Sequence, residues 1–307
     1  MRVLVTGGAG FIGSQIADAH AARGDEVIVV DSLVGGSREF VPRAARFYQM
    51  DVRDPGLRDV LAKERPQIVN HHAAQVSVSA SVKDPLFDAE VNVLGTLRLL
   101  EHCVAAGVQQ LVFASTGGAL YGDPETLPAD ESTPIKPLSP YAAGKFAAEA
   151  YVGLFQRVHG LRACCLRYAN VYGPRQDPHG EAGVVAIFSR ALLDARPATI
   201  FGDGEQTRDF VYVDDVVRAN LVATDRRIDG AINIGTGKAT TVNTVYATLA
   251  RAAGVSTPPR YASPRPGDVL HITLAAGHAR ARLGWEPNVS VETGLTATIK
   301  WFRQRPS

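Results

Sequence analysis

The amino-acid sequence predicts an α/β protein: a doubly wound parallel sheet joined to a smaller C-terminal α/β lobe. Three observations predict it. Short β-rich runs alternate with helical stretches through the first 170 residues, those runs carry near-continuous apolar stretches, and after about Tyr172 the chain turns richer in Pro and Gly. The strand candidates, in order, are RVLVTG, EVIVVD, RFYQMD, QIVNHHA, QLVFAST and RACCLRYAN. Between them lie the helical stretches Ser14 to Arg23, Gly56 to Glu64, Asn92 to Ala106 and Tyr141 to His159. Such alternation builds βαβ units whose crossovers cover both faces of one sheet, and strands covered on both faces read as near-continuous apolar runs. YGPRQDPHGEAG and PPRYASPRPGD read as loops, whereas RDFVYVDDVVRANLVATD reads as strand then helix. The expected division is residues 1–170 for the first lobe, rejoined by about 209–233, with 171–208 and 234–307 forming the second.

Composition bounds the partners. With 307 residues, 46% hydrophobic and 21% charged, the chain can bury a substantial core. A formal net charge of +1 without any Lys/Arg run leaves no electrostatic footprint for nucleic acid or an anionic membrane. Cys103, Cys164 and Cys165 form no CxxC pair, so neither a disulfide framework nor a metal site is expected. No run of roughly 18 apolar residues occurs. Met1 leads straight into RVLVTG with no room for a signal peptide, so a cytoplasmic location is expected.

VLVTGGAGFIGSQIADAHAARGDEVIVVD carries the strongest local signal. It holds Gly8-x-Gly10-x-x-Gly13, and also Gly7-x-x-Gly10-x-x-Gly13, between a strand and a helix. This is the context of a dinucleotide fingerprint and of the Rossmann fold. Glycines let backbone N–H groups approach a pyrophosphate, which then sits at the positive end of the following helix. Asp31 closes the second strand, where a carboxylate accepts from an adenosine ribose and repels a 2′-phosphate; the inference is NAD rather than NADP. Asp51, ending YQMD, reads either as an adenine contact with Val52 or as a helix cap.

SPYAAGKFAAEAY places Tyr141 and Lys145 four residues apart, on one face of a helix. Tyrosine, with an ordinary pKa of ~10, is a poor base near neutrality, but nearby positive charge favours its phenolate. The pair is a proton-transfer unit in the making. The strand end Ser115-Thr116 supplies hydroxyls beside it.

The ordered set TGGAGFIG, VVD, HHAAQVSVSASVKDP, STGGALYG, SPYAAGK, RYANVYGPRQDPHGEAG, GDGEQTRDFVYVDD, INIGTG and RPGD resembles the extended short-chain dehydrogenase/reductase family, most closely its UDP-glucose (UDP-galactose) 4-epimerases, over residues 1 to about 300. The resemblance implies a UDP-sugar substrate, bound NAD, and inversion at C4 through a transient 4-keto sugar. Tyr141 would exchange the proton of the 4-hydroxyl, and Lys145 would hold the nicotinamide ribose. It implies cofactor contacts from Phe11, Ile12, Ser32, Ala73, Ala74, Asn92, Ser115 and Tyr168 besides the glycines and acids above. It places Asn170 on a diphosphate oxygen or the sugar, with Val184, Thr199 and Phe201 around the uracil and ribose. Arg208 and Arg265 would neutralise the diphosphate through forked donors, and Asp268 would take the uridine ribose. It also implies a homodimer through the helices Asn92 to Ala106 and Tyr141 to His159, stripes that core packing explains equally well.

The chain departs from that pattern at Gly117, next to the sugar, where the family usually carries the catalytic Ser or Thr. In an extended strand Ser115 and Gly117 share a face and Thr116 points away. Glycines can rotate the ending strand, so Thr116 is expected to reach the 4-hydroxyl with Ser115 nearer the cofactor; the alternative is Tyr141 acting with a water. Gly118-Ala119 stand where related 4,6-dehydratases carry an Asp-Glu pair, and Asp177 stands where uronate enzymes place an Arg, so a neutral hexose is favoured. UDP-N-acetylhexosamine or UDP-glucuronate 4-epimerisation is the alternative, and an NAD-sensing regulator without chemistry the remote one. Ile272, four past the Asp of RPGD, reads either as a gate beside the sugar C2 substituent or as core packing.

Overall fold

A computed structural model of the chain describes residues 1–179, 183–264 and 269–305. The elements run β1 (Arg2–Thr6), α1 (Phe11–Ala22), β2 (Glu26–Asp31), β3 (Arg46–Gln49), α2 (Leu57–Glu64), β4 (Ile68–His71), α3 (Val78–Lys83), α4 (Pro85–Ala89), α5 (Thr96–Ala105), β5 (Gln110–Thr116), α6 (Gly117–Leu120), α7 (Pro140–His159) and β6 (Arg162–Tyr168). They continue β7 (Asn170–Tyr172), α8 (Val184–Leu193), β8 (Thr199–Phe201), β9 (Thr207–Tyr212), α9 (Val213–Arg226), β10 (Gly230–Ile234), β11 (Ala239–Thr241), α10 (Val242–Ala253), β12 (Arg260–Ala262) and α11 (Val291–Arg303).

The seven-stranded sheet has the order β10-β6-β5-β4-β1-β2-β3. Every pairing in it is parallel, as the apolar strands require. The six strands anticipated from sequence are all present, so the doubly wound fold stands. Strand order reverses at β1, which has β2 on one side and β4 on the other. In open parallel sheets a ligand crevice forms outside the carboxyl ends at such a switch point. The RDFVYVDD strand, β9, lies in a small sheet with β7 and β11, while its helix α9 packs on α1 and β5. β12 pairs with β8 in a separate two-stranded ribbon.

One face of the main sheet buries Leu4, Val69, Leu111 and Phe113 with Leu99 and Phe155 from the α5 and α7 side. The other buries Val3, Val5 and Val29 with Ala17 of α1, and Val112, Leu166 and Ile234 with Val216 and Ala219 of α9. A third core joins Tyr172, Phe188, Phe210, Leu249 and Ile299. Each fully buried side chain of this size contributes about 1.5–3 kcal/mol.

The helix expected over Asn92 to Ala106 starts earlier and is interrupted. Asp84 caps α4 by accepting from the Phe87 N–H at 3.0 Å, Pro85 opens it, and a π-helical turn over Glu90–Gly95 precedes α5. That wider turn aims Asn92 inward, where its amide donates to Asp88 Oδ1 at 3.0 Å. Helix α7 starts where its caps put it. Ser139 accepts from the Ala142 N–H at 3.2 Å, Pro140 occupies the first turn, and Gly160, at φ 68°, ends it.

Among the described residues no helix is long and apolar enough to cross a membrane, and no group of His, Cys, Asp or Glu could hold a metal ion. All three cysteines are buried and unpaired.

Candidate active site

The glycine loop after β1 packs backbone against backbone. A Cβ on Gly7, which has φ 67°, would lie 2.6 Å from the Ala73 nitrogen, and one on Gly13 would lie 2.2 Å from the Gly7 carbonyl oxygen. Gly10 precedes α1, and Phe11 and Ile12 open its first turn without an acidic side chain. The first N–H groups of a helix have no partner within it and attract anions. Asp31 is buried, accepting from the Ala9 N–H at 2.9 Å through one oxygen and from the Leu33 N–H at 2.8 Å through the other. The carboxylate thus ties the loop to the turn after β2, and each oxygen keeps a lone pair for a ribose hydroxyl. The half-buried Ser32 flanks it.

Asp51 meets Arg53 through both oxygens, at 2.9 and 3.0 Å, at the edge of a cleft of about 450 Å³; the guanidinium holds its carboxyl below the usual range. Val52 beside it is buried. Ala73 donates its N–H to Thr6 Oγ1 at 3.2 Å, with Ala74 half-buried behind it. A backbone cradle that no Cβ could enter, at the switch point and against a helix N-terminus, fits a dinucleotide diphosphate.

Tyr141 and Lys145 lie one turn apart on α7, which packs on β5. Lys145 is 4% exposed, donates to the Ala114 carbonyl at 3.0 Å and lies 4.8 Å from the Phe113 ring centre. Burial pushes its ammonium down to about 8, against Asp88 and Glu149. Burial pushes the Tyr141 phenol up to about 12, the Asp88 carboxylate adds to this, and a hydrogen bond with Thr116 opposes both. Thr116 is therefore the hydroxyl brought to the phenol. Ser115 Oγ is buried and has no partner among the described residues.

The depressed Lys145 sets a pH window. Its folded pKa of about 8 lies below the ordinary 10.5, so between these values this group alone binds more protons in the unfolded chain and contributes stability that grows with pH. The buried thiols of Cys103, Cys164 and Cys165 are raised and act in the opposite sense above about 9, in wild type and variant alike, so in urea unfolding of the nucleotide-free protein the gap between wild type and Lys145→Met should widen in favour of wild type by on the order of 3 kcal/mol across this window. Parallel pH profiles for the two proteins would contradict the assignment.

The supporting groups were not singled out from sequence. Asp88, 1% exposed, accepts from Gln75 Nε2 at 2.7 Å and Asn92 Nδ2 at 3.0 Å, and burial raises its carboxyl. Gly144 lets it approach α7, since a Cβ there would lie 2.9 Å from Asp88 Oδ2. Buried His71 bridges Thr6 Oγ1 at 2.6 Å and Thr96 Oγ1 at 3.0 Å. Thr96 spends its proton on the Asn92 carbonyl, so His71 Nε2 is the donor and Nδ1 the acceptor. Burial and Lys145 hold this ring neutral by lowering its pKa. Glu149 makes a buried, forked pair with Arg167 at 2.7 to 3.2 Å, and Arg167 also donates to Tyr121 at 3.0 Å. Glu149 lies one turn beyond Lys145, and Arg167 interrupts an apolar strand; those were the available signals. Tyr168 turns its phenol to His72, just past β4, at 3.1 Å and to Asn220 on α9 at 2.8 Å.

Of the sugar-nucleotide candidates, Asn170 sits on β7 with its Oδ1 3.3 Å from where a Gly118 Cβ would be. Val184 opens α8, half-buried, and Thr199 is exposed on β8. Phe201 lines a cleft of about 540 Å³ with Gln206, Ala262, Val269, Leu270 and His271. Arg208, on β9, donates to the Thr207 and Leu270 carbonyls at 2.9 and 3.2 Å. Arg265 and Asp268 lie outside the described residues. Ile272, read as a pocket gate or as packing, is 1% exposed and packs in the core with Tyr121, Ala129 and Leu274. The segment around it pairs with Thr207 and Ala129 and packs its side chain in that core.

A site of this kind defines the class of dinucleotide-dependent enzymes that act on hydroxyl groups. Residues 3–235 match the NAD dependent epimerase/dehydratase family, and the chain belongs to it. Over 311 residues it is 45% identical to the UDP-glucose 4-epimerase of Mycolicibacterium smegmatis, covering 99% of each chain. The fold is similar to that of Thermotoga maritima UDP-glucose 4-epimerase solved with UDP-glucose, at a TM-score of 0.96, 48% identity and 99% of both chains. It is also similar to that of Thermus thermophilus UDP-glucose 4-epimerase in complex with NAD, at 0.95, 48% and 100% of both.

Proposed function

We propose that the chain inverts C4 of a UDP-hexose, interconverting UDP-glucose and UDP-galactose with NAD as its retained cofactor. The observation that carries this reading is the meeting of the Tyr141 phenol with Thr116, one helical turn from buried Lys145, beside the glycine cradle. Bound NAD supplies the acceptor, and afterwards the donor, of the C4 hydride. Gly7, Gly10 and Gly13 are assigned to its diphosphate, and Asp31 to its ribose.

Tyr141 takes the proton of the sugar 4-hydroxyl and returns it to the product, with Thr116 hydrogen-bonded alongside. Lys145, cationic below about 8, favours the phenolate against the burial that opposes it. Ser115 is left with a free hydroxyl on the cofactor side. Because the same groups act in both directions, the reaction is neutral in redox. Asn170, Phe201 and Arg208, with Arg265 and Asp268, are assigned to the sugar nucleotide. The cofactor lobe takes residues 1–170 and the return through about 209–233, and the remainder holds the UDP-sugar.

NMR of products from a panel of UDP-hexoses tests this reading. UDP-galactose is expected from UDP-glucose, with the N-acetyl and uronic sugars slower; a panel without any C4-inverted product rejects it. We further assign a homodimer in the cytoplasm. Phe146, Leu154 and Val158 on α7, and Leu94 and Val104 across the π turn and α5, are large exposed apolar groups. Unpaired cysteines agree with a reducing compartment. Light scattering should give twice the 32.7 kDa chain mass, and a monomer would reject the dimer.

A further inference from the structure

Leu274 lies between two glycines from separate parts of the chain. A Cβ on Gly117 would stand 2.4 Å from Leu274 Cδ1, and a Cβ on Gly235 would stand 3.0 Å from Leu274 Cβ. Leu274 is 0% exposed, so its side chain has nowhere to swing. Its main chain is fixed as well. The Leu274 N–H donates to Asp209 Oδ2 at 3.1 Å, and the same carboxylate accepts from the Thr236 N–H at 2.8 Å, the Thr236 hydroxyl at 2.6 Å and the Gly237 N–H at 2.9 Å. On either side, the Thr273 carbonyl accepts from the Ala129 N–H and the Ala275 N–H donates to the Ala129 carbonyl, both at 2.8 Å.

Gly117 is closed from a second direction, because the Arg167 carbonyl oxygen would stand 3.2 Å from its Cβ. Position 117 therefore has no room for a side chain while Leu274 is in place. Immediately before it, Thr116 occupies the N-cap position of α6. A threonine there usually turns its oxygen onto the helix N–H groups. Here it makes no capping bond and is directed to Tyr141 instead.

We propose that Leu274 is a positioning residue that, wedged between Gly117 and Gly235 and held by Asp209, sets the turn after β5 so that Thr116 presents its hydroxyl to Tyr141. The inference rests on the reading of Tyr141 as the proton-transfer group at the sugar. Removing the wedge frees the turn, and Thr116 can then relax into a cap. Adding a Cβ at 117 forces the turn away from Leu274. The two changes are opposite in volume and should compensate, as contacting residues do in a mutant cycle.

The test uses full-length wild type, Gly117→Ala, Leu274→Ala and the double variant, with kcat and KM for UDP-glucose measured across pH. Gly117→Ala should lose about tenfold or more in kcat with KM nearly unchanged, and adding Leu274→Ala should recover most of that loss. Leu274→Ala alone should lower kcat and move the ascending limb of its pH profile up by about one unit, because a phenolate that loses a hydrogen bond is a costlier anion. Thr116→Ala should move the limb alike, with no further movement when combined with Leu274→Ala. If Leu274→Ala does not fold, Leu274→Val should give a shift of the same sign. A double variant no better than Gly117→Ala, or a Leu274 variant with reduced kcat and an unmoved profile, would overturn the proposal. Wild type that fails to turn over UDP-glucose would overturn the underlying reading as well.

Discussion

Tyr141→Phe is expected to lower kcat by a factor on the order of 10² or more, with nucleotide still bound. The substitution keeps the ring that fills the space between α7 and the strand end and removes the oxygen alone. What is lost is the oxygen that hydrogen-bonds with Thr116 and is assigned to carry the proton. A hundredfold loss corresponds to about 2.7 kcal/mol of transition-state stabilisation, too large for a change in packing that leaves the ring in place. Kinetics on the purified variant, alongside release and quantitation of its nucleotide, would check both halves. Near-normal turnover would remove Tyr141 from the mechanism.

Gly13→Ala should strip the protein of its cofactor. The added Cβ would stand 2.2 Å from the Gly7 carbonyl oxygen and 3.2 Å from the Gly8 Cα, and these are backbone atoms that cannot rotate aside. Relieving the overlap means moving α1 away from the loop after β1, at a cost of typically 1–3 kcal/mol, and withdrawing the N–H groups assigned to the diphosphate. Each 1.4 kcal/mol passed on to binding weakens it about tenfold. The purified variant is therefore expected to carry less than about a tenth of the wild-type nucleotide. Gly277→Ala, where a Cβ meets nothing within 4 Å, is the control and should keep a full complement. The nucleotide released from wild type should be NAD(H), given Asp31; mainly NADP(H) would contradict that reading.

The sequence revealed the sheet for a physical reason. β1, β2, β4, β5 and β6 are buried on both faces, so each holds an unbroken apolar stretch such as VLV, VIVV or ACCL that stands out against amphipathic helices. β7, β8, β11 and β12 have three residues each, too few for any periodicity to register. The π turn before α5 was hidden because a single extra residue does not disturb an apolar stripe, although Asp84-Pro85 marked the earlier start. In the site, Tyr141 and Lys145 were legible through their spacing and the glycines through their motif. Asp88, Asp209 and Leu274 were not. Their roles depend on contacts across 56, 27 and about 157 residues of chain, to Gly144, Thr236 and Gly117, which no local pattern encodes. The rotation that brings Thr116 to the phenol is set by Leu274, and Ile272 reads as core because the segment that holds Leu274 also turns Ile272 inward.

The central claim is that C4 is inverted by removing and returning one hydrogen within a closed site. Converting UDP-glucose in D₂O and following the product by proton NMR tests it most directly. UDP-galactose that retains protium at C4 is expected, because the hydrogen leaves and returns as hydride without mixing with solvent protons. Deuterium at C4 of the product, or a product that has lost water instead of inverting, would contradict it.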